Sequence, residues 1–198
     1  MPSDREVSRS GVGMGASMDR QPTLEGPALL LRPLRPDDWQ ALYAVASDPL
    51  IWEVHPSNDR WQEPLFRKFF DDALAKGGAL AVIDRQTGEI IGSSRFQAYD
   101  PAQGGSVEIG WTFLARSHWG GAYNPELKRL MLAHALGFVA RVDFRVGEAN
   151  WRSRKAMEKI GGTLSDRTEL AETTAGMVRH VIYEITRDSF AQGPLLAG

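Results

Sequence analysis

The chain contains no cysteine. That excludes disulfides, thiolate metal sites and a cysteine nucleophile, so any covalent chemistry must use another residue. Its four histidines are scattered without ligand spacing, which argues against a metal. No apolar run approaches the length of a membrane span. The net charge of −2, with Lys and Arg dispersed, provides no basic field for nucleic acid. Residues 1–22 are rich in Ser and Gly, mix both charges and lack the apolar core of a signal peptide, so they read as a disordered tail with Met18 as a second candidate start. A soluble, cytoplasmic protein is the expectation, monomer or homodimer.

What is present is an ordinary globular balance, 42% hydrophobic and 24% charged over 198 residues, enough for one core. One domain over residues 23–190 and a C-terminal tail at 191–198 follow. The most informative stretch is Arg116 to Glu126, R-S-H-W-G-G-A-Y-N-P-E. Gly120 and Gly121 let the main chain turn with exposed N–H groups. Asn124 then reads as an N-cap, Pro125 as the first helical residue and Glu126 as a complement to the positive helix end. Free amides at a helix start attract phosphate. The amides of Ser117, His118, Trp119, Gly120, Gly121, Ala122 and Tyr123 are therefore the candidate anion cradle.

A strand precedes this loop. Ser106 to Leu114 alternates, with Val107, Ile109, Trp111 and Phe113 on one face and Ser106, Glu108, Gly110 and Thr112 on the other. After the loop, Leu127, Leu130, Met131, His134 and Phe138 fall at helical spacing and predict a helix ending near Ala140. Val142 to Gly147 reads as a strand, and Asn150 to Ile160 as a helix closed by Gly161 and Gly162. Upstream, the pattern predicts a strand at Ala28–Leu34, a helix from Arg35 through Ala46 with Leu42 and Val45 inward, and a helix at Glu63–Lys76. Strands at Ala79–Asp84 and Ile90–Ala98 flank a hairpin turn. Two final strands, Gly162–Leu170 and Met177–Thr186, complete an α/β (α+β) domain. No internal repeat is visible.

This order of elements, with E-I-G-W on the strand, the glycine loop, a helix, a strand, and N-x-x-S opening a helix that ends M-E-K-I-G-G, resembles the GCN5-related N-acetyltransferases. Within them it is most similar to the bacterial ribosomal-protein N-terminal acetyltransferases. The resemblance covers roughly residues 27 to 187. In that family the loop reads Gln or Arg, two residues, Gly, one residue, Gly or Ala. Gly120 and Ala122 match the last two positions, Ser117 departs from the first, and Arg116 is the neighbouring side chain available in its place.

The resemblance implies an acetyltransferase fold with a twisted mixed sheet, acetyl-CoA as cosubstrate and a primary amine as acceptor, a peptide N-terminus or a small molecule such as a polyamine. A non-catalytic acyl-CoA sensor is a further reading. It implies pyrophosphate on the loop amides, and the pantetheine arm against main-chain groups of Thr112, Phe113 and Leu114, where this strand and the one starting at Val142 splay apart. Glu108 is either the general base, through water, or a carboxylate paired with an arginine such as Arg95. Asn150 is an N-cap, a pantetheine contact, or both; Ser153 is a first-turn residue or a proton donor to the leaving thiolate, a place where other branches carry a Tyr. Trp52 and His55 lie in a turn-rich connection that walls the acceptor cleft in the family, although Trp52 equally suits a core plug.

Overall fold

The computed structural model describes residues 17–173 and 176–197. Eight strands form one sheet: β1 (Leu24–Glu25), β2 (Leu29–Pro33), β3 (Ala79–Asp84), β4 (Ile90–Asp100), β5 (Ser106–Leu114), β6 (Arg141–Gly147), β7 (Thr163–Thr173) and β8 (Gly176–Thr186). Their order is β1-β2-β3-β4-β5-β6-β8-β7. Only β5 and β6 run parallel. A parallel neighbour requires a crossover, and α4 (Tyr123–Leu136) supplies it. The expected mixed α/β architecture is present.

Two apolar layers sandwich the sheet. On one face α4 and α5 (Trp151–Lys159) deliver Leu127, Met131, Leu132 and Met157 against Leu31, Val82, Val107, Ile109 and Val142. On the other face α1 (Trp39–Ala46) and α3 (Glu63–Lys76) set Leu42, Phe66 and Phe70 against Ala79, Ala81 and Phe113. The stripe Phe66, Phe69, Phe70, Ala73 explains why α3 forms, since it alone brings three rings out of water at about 2–3 kcal/mol each. Pro64 fits its first turn, and Gly77 ends it at φ 70.

Most predicted boundaries agree to within three residues. The helix expected to reach Ala140 stops at Leu136, with Gly137 as its C-cap. That helix also begins at Tyr123, capped by Ala122 with no side-chain bond, so Asn124 is not its N-cap but lies in the first turn. Glu126 does more than complement the helix end: its Oε1 accepts from the backbone N–H of Ala28 (2.9 Å) and of Leu29 (3.0 Å), tying α4 to the start of β2. The short helices α2 (Pro49–Trp52) and α6 (Arg187–Ala191) were not foreseen. Residues 1–16 of the expected tail lie outside the described residues; Met18, by contrast, is buried in the core, so packing begins before residue 23. At the other end Leu195 packs partly against the same core.

The larger correction concerns β5. Trp111 adopts φ 55, and the pairing with β4 slips between Ser93 and Arg95. This is a β-bulge, and an extra residue inverts the alternation beyond it. Val107 and Ile109 therefore face α4, whereas Trp111 is exposed and Phe113 packs in the opposite core with Trp52 and Phe66.

Candidate active site

The glycine loop leaves β5 through one turn of 3-10 helix at Arg116–His118. His118 anchors it: Nε2 lies 3.0 Å from Asp84 Oδ2 and Nδ1 lies 2.8 Å from Ser117 Oγ. Asp84 in turn is held below the usual carboxylate range, chiefly by the His118 bond. Arg116 points away to Asp48, at 2.5 Å. It therefore does not occupy the place of the missing loop side chain. Gly120 takes φ 72, the left-handed region that favours glycine. The backbone N–H groups of Gly120, Gly121 and Ala122 donate to no acceptor among the described residues. Those of Tyr123 and Asn124 open a fourteen-residue helix, where first-turn amides lack intrahelical partners.

Next to the loop the sheet opens. β5 and β6 pair only at Ser106–Arg141, Val107–Val142 and Glu108–Asp143; beyond these residues the two strands part. The bulge at Trp111 explains the divergence, because a bulged strand bends away from its neighbour. The resulting wedge belongs to a cavity of about 650 Å³. Thr112, Phe113 and Leu114 line it from β5, His118, Trp119, Gly120 and Gly121 from the loop, and Asn150, Ser153, Ala156 and Ile160 from α5 and its cap. Asn150 is buried and caps α5, its Oδ1 accepting from Ser153 N–H at 3.2 Å. Ile51, Trp52 and His55 close one wall. Trp119 seals the loop by donating from Nε1 to the Leu114 carbonyl at 2.9 Å, and Arg152 stacks over its ring at 4.5 Å.

Eleven of the expected positions thus meet in one cavity: Thr112, Phe113, Leu114, His118, Trp119, Gly120, Gly121, Asn150, Ser153, Trp52 and His55. Ala122 and Tyr123 flank it without lining it, and Ser117 faces a different hollow beside Arg116 and Asp48. Trp52 is both plug and wall. It is buried, donates from Nε1 to the Ala46 carbonyl at 2.8 Å, and packs against Phe113 at 5.1 Å. Arg152, Lys155 and Lys159 were missed as lining residues. Lys155 and Lys159 stand four apart on α5, a spacing that was available in the sequence.

Glu108 is buried and faces away from α4. Gln97 donates to its Oε1 and Arg145 to its Oε2, each at 2.9 Å. Arg145, not Arg95, is its arginine, while Arg95 pairs with Asp72. The Trp111 indole also donates to Gln97, so Glu108 joins a chain that reaches the exposed bulge. It is not among the residues lining the cavity.

Around this face stand two imidazoles. Burial, aided by Arg60, His180 and Arg152, pushes His55 down to about 3, so the ring is neutral. Its Nδ1 accepts from Ser57 N–H at 2.9 Å, which leaves the proton on Nε2. Burial and Arg145 likewise lower His180. Arg60 lies 4.9 Å above the Phe69 and Trp111 rings and 5.3 Å above Trp52. Residues 174–175, between β7 and β8, lie outside the described residues. No cluster of His, Asp or Glu suited to a metal occurs among the described residues.

The family model of the acetyltransferase (GNAT) domain matches residues 28–163. No curated protein matches the chain significantly. Among solved structures, a probable GNAT-family acetyltransferase from Chromobacterium violaceum superposes with TM-score 0.75 at 18% identity, covering 96% of this chain and 100% of that one. RimJ from Mycobacterium smegmatis, in complex with CoA-disulfide, gives 0.64 at 19% identity, over 88% and 90% of the two chains. Spermidine N-acetyltransferase from Vibrio cholerae, in complex with CoA and spermine, gives 0.64 at 14% identity, over 84% and 99%. Likenesses at these identities concern the fold. Among the described residues no helix is long and apolar enough to cross a membrane.

Proposed function

The chain belongs to the GNAT acetyltransferase family, and on that premise we propose that it transfers the acetyl group of acetyl-CoA directly to a primary amine, a peptide N-terminal α-amine or a close analogue. The observation that carries this reading is the continuity of free loop amides with the β5–β6 wedge in one cavity. The cavity suits the cosubstrate chemically. A Cβ added at Gly120 or Gly121 would meet nothing within 4 Å, so an anion has room to approach the amides. Lys155 and Lys159 add positive charge at the rim, while the apolar walls of Phe113, Leu114, Ala156 and Ile160 suit an uncharged thioester arm.

In this account the loop orients the phosphates, and unpaired main-chain groups of β5 bind the amide-bearing arm. The acceptor nitrogen attacks the thioester carbonyl, and a strand amide stabilises the oxyanion. Glu108, paired with Arg145, receives the nitrogen's proton through water. Asn150 contacts the arm, and Ser153 stands beside the sulfur. Trp52 and His55 wall the acceptor, with His55 Nε2–H as a donor.

The acceptor side disfavours polycations. Glu108 and Glu169 both pair with Arg145, Asp72 pairs with Arg95 and Lys76, and Arg60 adds a cation over the aromatic floor. A polyamine would meet carboxylates already neutralised. An α-amine, with a reference pKa of about 7.7–8.0, presents much free base at neutral pH and needs little help to shed a proton. The CoA complexes of RimJ and of the spermidine N-acetyltransferase support coenzyme A as the cosubstrate. Thiol release from acetyl-CoA, measured against N-terminal peptides, polyamines and aminoglycosides, tests the proposal: peptides should be the acceptors, and preferential acetylation of polyamines would refute it.

A further inference from the structure

Beneath the wedge lies a cation that the mechanism above does not use. Lys128 projects from the inner face of α4 and is 3% exposed. Its Nζ donates to Thr112 Oγ1 on β5 at 2.9 Å and sits 5.4 Å from the Phe144 ring centroid on β6. The ammonium therefore spans the two arms of the wedge. No carboxylate lies within 4 Å of it among the described residues. Burial alone pushes it down to about 7, with no contribution from another charge. An unpaired buried ion is costly, and an apolar residue would fill this helix position without that cost. A buried cation placed at a cleft in this way points to a task.

Thr112 indicates which task. Its hydroxyl oxygen lies 2.8 Å from Ser94 Oγ. Ser94 is fully buried and has no other hydrogen-bond partner among the described residues, so its proton is satisfied only by donation to Thr112. Thr112 Oγ1 then accepts from both Lys128 and Ser94, which uses its two lone pairs. Its own proton is then free for a third partner, and Thr112 lines the cavity. A hydroxyl backed by an ammonium is a polarised donor.

We infer that Lys128, acting through Thr112, is a positioning residue for acyl transfer, stabilising the negative charge left on sulfur as the thioester breaks; this rests on the acetyl-transfer reading above. As the C–N bond forms, the C–S bond breaks and its electron pair leaves with sulfur. The proton shed by nitrogen passes to Glu108 and solvent, and solvent returns one to the thiolate, so one proton moves net from nitrogen to sulfur. The groups facing Lys128 are Thr112 from β5 and Phe144 from β6. Glu108, Asp143 and Arg145 alternate onto the opposite face of the sheet. On α4 itself Glu126 is engaged by the β2 amides, and Lys155 and Lys159 of α5 contribute nothing to the Lys128 ionisation.

The test is to titrate the thiol of coenzyme A bound to the full chain, by thiolate absorbance, in wild type, Lys128→Met and Thr112→Val. A free thiol ionises near pH 8.5. In wild type the bound thiol should ionise at least about one pH unit lower, and both variants should return it to the free value. The kcat for thiol release should fall at least about tenfold in each variant, with KM for acetyl-CoA within about threefold and no further loss in the double variant. Lys128→Met should melt no lower than wild type at neutral pH, because it removes a buried amine whose charged form burial disfavours. A bound thiol that titrates alike in all three proteins overturns the inference. Failure of wild type to bind coenzyme A overturns it together with the acetyl-transfer reading. A lowered wild-type thiol restored by both variants, with no amine acetylated, supports the role of Lys128 and refutes only the acceptor reading.

Discussion

Replacing Gly121 with valine separates ligand contact from folding better than any other change in the loop. Gly121 lies outside the left-handed region that Gly120 occupies, and a Cβ there would meet no atom within 4 Å. The free protein should tolerate the side chain, with a change in stability within about 0.5 kcal/mol. The bound state should not tolerate it. The valine methyl groups would stand where a pyrophosphate must approach the amides of Gly120, Gly121 and Ala122, which have no protein partner. Hydrogen bonds to a charged group contribute about 1.5–3 kcal/mol each, so losing two costs roughly 3–6 kcal/mol, or about 10²–10⁴ in affinity. Calorimetry with coenzyme A reads the affinity, and a thermal melt confirms the fold. Binding within about threefold of wild type in an intact variant would remove this loop from the site. Gly120→Val is a poorer probe, since left-handed backbone at a β-branched residue costs about 1–2 kcal/mol of its own.

Two further outcomes follow from the charged groups. Glu108→Gln should lower turnover by about 10² at neutral pH with coenzyme A affinity nearly unchanged, and the deficit should narrow as pH rises and free amine becomes abundant; a pH–rate profile matching wild type in height and shape would exclude Glu108 as the base. Asp38 is buried, bound by Arg32 at 2.7 and 2.9 Å and by Arg35 N–H at 2.8 Å, and its carboxyl is held below the ordinary value although burial itself opposes this. A depressed carboxyl contributes stability that is present above the unfolded pKa and lost as pH falls through the folded one. Asp38→Asn should therefore cost about 2 kcal/mol in urea unfolding at pH 7 and progressively less below about pH 4, and an equal deficit at both pH values would contradict the assignment.

Much of the architecture was legible because periodicity dominates where one face is buried. β3 and α3 carry unbroken apolar patterns, and their predicted and observed bounds coincide. The reading failed where the pattern is locally broken. Alternation alone placed Trp111 and Phe113 on one face with Ile109, because a bulge adds a residue without leaving a mark in polarity. Asn124 drew the N-cap assignment from its chemistry and the following proline, yet the helix starts two residues earlier and leaves the cap to Ala122. The loop, Asn150 and Ser153 were visible through local motif spacing. Arg145 as partner of Glu108, and Lys128 beneath Thr112, were not, since both contacts join residues far apart in the chain and depend on how strands and helix stack. Lys128 was further masked by its neighbours, lying beside Arg129 in a stretch that reads as a solvated helix face.

The most direct test of the central claim is acetyl-CoA-dependent thiol release, followed with N-terminal peptides, polyamines and aminoglycosides and paired with mass measurement of the acceptor. Stoichiometric thiol release and a gain of one acetyl group on the peptide α-amine are expected, with polyamines poorer substrates. Tight binding of coenzyme A with no acetyl transfer to any amine would contradict that claim and leave a sensor in place of an enzyme.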